Sequence, residues 1–149
     1  VKKPLWEIES DGCTFKSCGF DCEIKRHPSL KHLCGYVDVP VKAFEQWPSF
    51  ESYEWECPDD DPRRVIHSCV HGGVTYDRIN GDVRRIGFDC GHAGDLSPGG
   101  MRNLSRAFLE GFETAADVYR DMKYVTGETR KLAKHLAALV KIDADGVIA

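Results

Sequence analysis

The chain has 149 residues, 42% of them hydrophobic and 30% charged, with a net charge of −4. That is the balance of a single folded domain, and it excludes a disordered chain. The negative balance argues against broad attraction to nucleic acid, and no run approaches the roughly 20 apolar residues of a membrane span.

The opening residues, Val1 to Glu7, carry no apolar core of signal-peptide type, although the absence of an initiator Met leaves a processed start open. The seven cysteines are an odd number, so a disulfide framework would leave one thiol over. The expectation is a cytoplasmic protein with reduced cysteines. Cys13, Cys18 and Cys22 lack the paired short spacing of a zinc site, and small buried cysteines explain them more simply.

Phe20 to Lys25 alternates apolar with polar residues and predicts a half-buried strand. Leu33 to Val39, closed by Pro40, predicts a second, with His27 to His32 as a hairpin-like connection. Lys42 to Pro62 has little pattern: Phe44, Trp47 and Phe50 recur at spacing three, then Tyr53 and Trp55 alternate. The run Asp59-Asp60-Asp61 between prolines predicts an exposed loop. Val65 to Val70 and Val83 to Cys90 are predicted strands, with Val74-Thr75-Tyr76 a short one between them, and Asn80-Gly81 is a turn signal. From Ala115, Val118, Met122, Val125, Leu132, Leu136 and Leu139 recur at steps of three and four, with Thr129 in the one polar slot, and predict a helical stripe. Gly127 lies inside it at a cost of roughly 1 kcal/mol against alanine. The stripe packs on the chain's own sheet; a two-helix homodimer seam is its second reading. The fold expected is α+β in one domain over 1–149: an antiparallel sheet of short strands with a long C-terminal helix packed on it. Within that domain, the strand-rich residues 1–98 carry the site and residues 99–149 are helical.

The chemistry concentrates in His71-Gly72-Gly73-Val74-Thr75-Tyr76 and in Gly87-Phe88-Asp89-Cys90-Gly91-His92-Ala93-Gly94-Asp95. Both place ionisable groups beside glycines, where backbone can turn sharply and expose N–H groups to an anion. Four readings compete. In the first, His71 caps a turn while Asp89 and Asp95 hold loop N–H groups. In the second, His71, Asp89, Cys90, His92 and Asp95 supply zinc ligands, against which stands their spacing. In the third, His71 and His92 act as general base and acid with Asp89 orienting, as in phosphodiester cleavage, or Cys90 serves as a nucleophile. In the fourth, His71, His92, Asp89, Asp95, Thr75 and Tyr76, with Tyr36, hold a base or sugar. Phosphates then fall to Arg84 or Arg85, Arg102 and the Gly72-Gly73 or Gly99-Gly100 amides. Pro98-Gly99-Gly100 also serves as a turn before a short helix over 101–112.

His71–Tyr76 and Gly87–Asp95, with Leu33–Val37 and His27-Pro28, resemble a family of small bacteriophage and prophage proteins that carries no assigned activity. The resemblance covers about Gly19 to Pro98, and Cys13, Cys18, Cys57 and Cys69 do not belong to its pattern. By analogy with other small phage proteins it implies counter-defence in the cytoplasm of an infected host: a protein, often oligomeric, that sequesters a nucleotide-type small molecule such as an immune signal. No cofactor or metal is expected. The alternatives are a phosphodiesterase using His71 and His92, and a protein-binding inhibitor that presents the loop Cys57–Asp61 and the aromatic patch Trp47–Trp55.

Overall fold

Alternation of apolar and polar residues builds most of the sheet. In a computed structural model, which describes residues 3–101 and 117–140, the described strands are β1 (Gly12–Ser17), β2 (Phe20–Arg26), β3 (Leu33–Pro40), β4 (Tyr76–Asn80) and β5 (Val83–Asp89). They form one sheet in the order β1-β2-β3-β5-β4, every neighbouring pair antiparallel. Short helices α1 (Leu5–Ile8), α2 (Pro62–Ser68) and α3 (Pro98–Met101) lie outside the sheet, and the long helix α4 (Met122–Leu139) packs across β3 and β2. The α+β architecture expected from the sequence is therefore the one observed.

The register assigns the two faces. Cys22 pairs with Val37, Ile24 with Gly35, Gly35 with Phe88 and Val37 with Ile86. This row-by-row match puts Ile24, Val37, Ile86 and Phe88 under α4, whose Val125, Leu132, Ala133 and Leu136 are wholly buried against them. Thr129, the polar slot of the stripe, is buried as well and donates its hydroxyl to the Val125 carbonyl at 2.7 Å. The stripe is used up in the chain's own core, which leaves the homodimer seam without its apolar face. No described helix is long and apolar enough to cross a membrane.

Several elements differ from expectation. Val65 to Val70 is β-branched enough to suggest a strand, but it falls mostly in helix α2. Asp61 caps that helix by accepting the Arg63 N–H at 2.9 Å, and Pro62 occupies the first turn, where its missing N–H costs nothing. The long helix begins at Met122 rather than Ala115. Asp121 caps it through the Tyr124 N–H, and Val118 lies outside it in a parallel bridge with Asp95. The short strand expected at Val74 to Tyr76 starts only at Tyr76 and runs on to Asn80. Cys13 and Cys18 are exposed, against the expectation of buried cysteines, whereas Cys22 is buried and burial pushes its thiol up to about 11. The aromatic stretch is split: Phe44 and Phe50 are fully buried while Trp55 is 89% exposed. The short helix expected over 101–112 and the residue Arg102 fall largely or wholly outside the described residues.

Candidate functional site

The sheet face away from α4 carries Lys25 on β2, Cys34, Tyr36 and Asp38 on β3, Arg85, Gly87 and Asp89 on β5, and Tyr76 and Arg78 on β4. Gly87 pairs with Tyr36 on one side and Tyr76 on the other. A Cβ at Gly87 would overlap the Tyr36 ring, so glycine is what lets the tyrosines lean together. They meet edge to face with centroids 5.4 Å apart, a favoured aromatic geometry. Burial pushes the Tyr36 hydroxyl up to about 12, and Tyr76 is the more exposed ring.

One row further along the strands lies an open groove of about 390 Å³. Cys34 and Asp89 sit opposite each other in its floor, with Tyr36, Tyr76, Thr75, Gly91, Leu30, His27 and His32 around them. Asp89 is shaped by its neighbours: Oδ1 accepts the Gly91 N–H at 2.9 Å and Oδ2 accepts the Thr75 hydroxyl at 3.0 Å. His27 Nδ1 accepts the Leu30 N–H at 3.0 Å, which turns the β2–β3 connection back, and its ring stacks on His32 at 4.9 Å. His32 is 5% exposed. Its Nδ1 meets the Ser97 hydroxyl at 3.1 Å, and among the described residues Nε2 has no hydrogen-bond partner.

Burial holds the His32 imidazole below its ordinary value of 6.5, because desolvation penalises the charged ring. The folded chain thus binds fewer protons here than the unfolded chain, so stability contributed above pH 6.5 is lost as pH falls through the lowered value. An NMR titration of the His32 ring should show a midpoint below 6.5. A midpoint at or above 6.5 would mean that the ring is solvated.

The two motifs do come together, though at a second place. His71 and His92 have ring centroids 6.1 Å apart. His71 Nε2–H donates to Asp95 Oδ2 at 2.7 Å, and His71 Nδ1 is hydrogen-bonded with the Tyr124 hydroxyl at 2.8 Å. Glu128 takes the His71 backbone N–H at 2.9 Å. Asp95 also accepts the His92 N–H at 3.1 Å and Arg120 Nε at 3.0 Å. Burial alone would raise the Asp95 carboxyl, but these three donors hold it below its ordinary value. The network thus ties together the loop after α2, the loop after β5 and the start of α4.

This geometry bears on each residue singled out in the sequence. A general base needs a free ring nitrogen facing its substrate, and both nitrogens of His71 are engaged. His92 Nε2 is buried and makes no hydrogen bond, although Asp89 Oδ1 lies 3.3 Å away. Cys90 is 1% exposed and burial pushes its thiol up, the reverse of an activated nucleophile. Arg84, expected to contact phosphate, points into the core side and is held by Asp77. Arg85 forks onto Asp38 at 2.7 and 3.0 Å and reaches Glu23 at 2.9 Å, which raises its pKa.

The double glycine is not an anion nest either. Gly72 and Gly73 have φ of +69° and +83°, and a Cβ would strike the His92 ring at the first and the His67 ring at the second. The Gly73 N–H donates to Val70. The amides of Gly99 and Gly100 likewise donate to Leu30 and Ser97. Among the described residues, no three His, Cys, Asp or Glu side chains converge into a set that could hold a metal ion.

Of the expected ligand residues, the groove therefore takes in Tyr36, Thr75, Tyr76 and Asp89, while His71, His92 and Asp95 form the support behind it. Among the polar groove residues, His27, His32 and Cys34 were not predicted as ligands. For Cys34 the signal lies in the β3–β5 pairing, which sets it opposite Asp89.

No family model, curated protein or solved structure matches this chain. The motif resemblance consequently rests on the quoted residues alone.

Proposed function

We propose that this chain binds a nucleotide-type small molecule by its base and sugar in the groove between the Tyr36–Tyr76 pair and His32. The observation that carries this reading is the aromatic pair built over Gly87, which faces a floor bearing Asp89 and a buried histidine. A planar ring can stack on tyrosine while its N–H or O–H groups meet Asp89 and His32. Arg85 lies over the Tyr36 ring at 5.2 Å and Arg78 over Tyr76 at 5.5 Å. Both stand in the row on the far side of the tyrosines from Asp89, so the side toward Asp89 belongs to the groove. The motif resemblance supports a setting in which a phage accessory protein withdraws such a molecule from host defence in the bacterial cytoplasm.

Sequestration rather than cleavage fits the closed hydrogen bonding of His71. The test is calorimetric titration of the native chain with ribonucleosides, mononucleotides and cyclic dinucleotides. Denaturation should then release the bound compound intact. At least one of them should bind at one site. Tyr76→Ala should weaken it about fivefold or more, since stacking on an aromatic side chain contributes about 1–3 kcal/mol per base. Absence of binding across the panel, or equal affinity in Tyr76→Ala, would contradict the proposal, and recovery of an altered compound would make the chain an enzyme.

A further inference from the structure

The charges around the groove define its ligand more narrowly. Recognition of a phosphate needs an uncommitted cation or a set of free N–H groups. Among the described residues, the guanidiniums around this region of the sheet are already paired. Arg85 is committed to Asp38 and Glu23, Arg78 reaches Glu51 at 2.9 Å, and Arg84 is buried on Asp77. Arg26, at the end of β2, donates to Asp11 and to the Lys31 carbonyl. Arg120 is held by Asp95. Lys25 lies beside Cys34 in the register but is drawn toward Glu23 at 3.7 Å, and neither it nor Lys31, which makes no described ion pair, is among the groove-lining residues.

The two histidines that line the groove do not make up the deficit. His32 is buried, with its pKa lowered, and so stays neutral at pH 7. His27 accepts backbone N–H groups at Nδ1, which it can do only with that nitrogen unprotonated. The one carboxylate in the groove lining is Asp89; its two hydrogen bonds come from a backbone amide and a hydroxyl, and the His92 ring nitrogen lies 3.3 Å from Oδ1. Beside it lies His32, 5% exposed, with its Nδ1 against the Ser97 hydroxyl.

Resting on the nucleobase reading above, we propose that the groove selects an unphosphorylated ligand, a nucleoside or free base. Its N–H or ribose O–H donors would face Asp89 and His32, and a phosphate on the same molecule would weaken binding. A phosphate within about 7 Å of a carboxylate with no Lys or Arg beside it lowers affinity by roughly five- to tenfold at intermediate dielectric. The effect carries a signature opposite to that of an ordinary phosphate site: added salt screens a repulsion and so strengthens binding of the charged ligand.

The experiment measures dissociation constants of adenosine, guanosine, cytidine and uridine against their 5′-monophosphates. The native chain is titrated at about 20 mM and again at about 300 mM salt, on either side of strong screening. The nucleoside that binds should do so about fivefold or more tighter than its monophosphate at low salt, and the gap should narrow at high salt. Asp89→Asn keeps an acceptor oxygen for the Gly91 N–H and should close most of the gap. A monophosphate that binds as well as its nucleoside, or that weakens with salt, overturns the selectivity while leaving the nucleobase reading intact. Binding of neither class overturns both. The salt comparison needs no variant, so poor folding of Asp89→Asn cannot hide the answer.

Discussion

Replacing Asp77 with alanine should cost about 3–5 kcal/mol of folding free energy, the range for stranding a charge in a protein interior. Asp77 and Arg84 are 4% and 6% exposed at their side chains. Arg84 Nε and Nη2 each donate to the carboxylate at 2.7 Å. Its remaining donors go to the carbonyls of Phe44, Trp47 and Pro48 at 3.0, 2.9 and 3.0 Å. The guanidinium also lies over the Phe50 ring at 4.8 Å, and Asp77 takes the Phe50 N–H at 2.8 Å. One ion pair thereby anchors the whole irregular segment from Phe44 to Phe50 against the sheet. Removing the carboxylate leaves a buried cation, whereas removing both partners leaves only lost hydrogen bonds. In urea denaturation the double variant Asp77→Ala with Arg84→Ala should therefore lose clearly less than the sum of the single changes. Strict additivity, or a loss below about 1 kcal/mol in Asp77→Ala, would show that the pair is solvated. Because Arg84 holds the fold together, its substitution should act on stability and not on the salt dependence of ligand binding.

Asp95→Ala is expected to have the next largest effect, about 2–4 kcal/mol, because it leaves three donors without their acceptor. The Asp95 side chain is 1% exposed and serves His71, Arg120 and the His92 N–H together. The same residue sets a pH dependence whose sign follows from linkage. Its carboxyl is held below the ordinary 3.8 in the folded chain, so the unfolded chain binds the proton first. Stability from Asp95 is complete above pH 3.8 and is lost as pH falls through the lower folded value. Native protein should consequently lose stability below that point, and Asp95→Ala should show a flatter curve over the same acid range. Equal slopes in the two proteins would remove Asp95 from the account. Asp95→Asn, which keeps an acceptor oxygen and loses the charge, should fall between them in stability at neutral pH while showing the flat acid slope of Asp95→Ala.

Much of the sheet was legible because burial on one face imposes alternation. Phe20 to Lys25, Leu33 to Val39 and Val83 to Cys90 each correspond to an observed strand to within a residue or two. β1 was hidden by its cysteines. Cys13 and Phe15 alternate with Thr14 and Lys16 as a strand should, but the spacing of Cys13, Cys18 and Cys22 drew attention to metal chemistry instead. Val65 to Val70 misled because β-branched residues favour strands on average, while a single cap and proline at Asp61-Pro62 decide the local structure. The start of α4 shows the same rule, since the apolar period continues upstream of the Asp121 cap at which the helix begins.

The candidate site was only partly legible. Two motifs pointed to the right stretch of chain, yet their conspicuous histidines turned out to brace the fold. His71 is the clearest case: a histidine beside two glycines looks chemical in sequence, and only its bonds to Tyr124 and Asp95 reveal it as a joint. Tyr124 and Arg120 come from α4 and the segment just before it, and the β2–β3 connection supplies His27 and His32. No local pattern announces such long-range partners. The phosphate contacts assigned to Arg84 and Arg85 failed for a related reason, because the carboxylates that claim them lie on other strands or at the opposite end of a turn.

The central claim is that ligand enters the groove between Tyr36, Tyr76 and Asp89 and not the His71–Asp95 network. Amide chemical-shift mapping of the native chain, titrated with the nucleoside that binds best, tests it directly. The account predicts saturable shifts at Cys34, Tyr36, Thr75, Tyr76, Asp89 and Gly91, with smaller ones at His71 and Arg120. Shifts centred on His71, Asp95 and Arg120, with the groove amides unmoved, would contradict it.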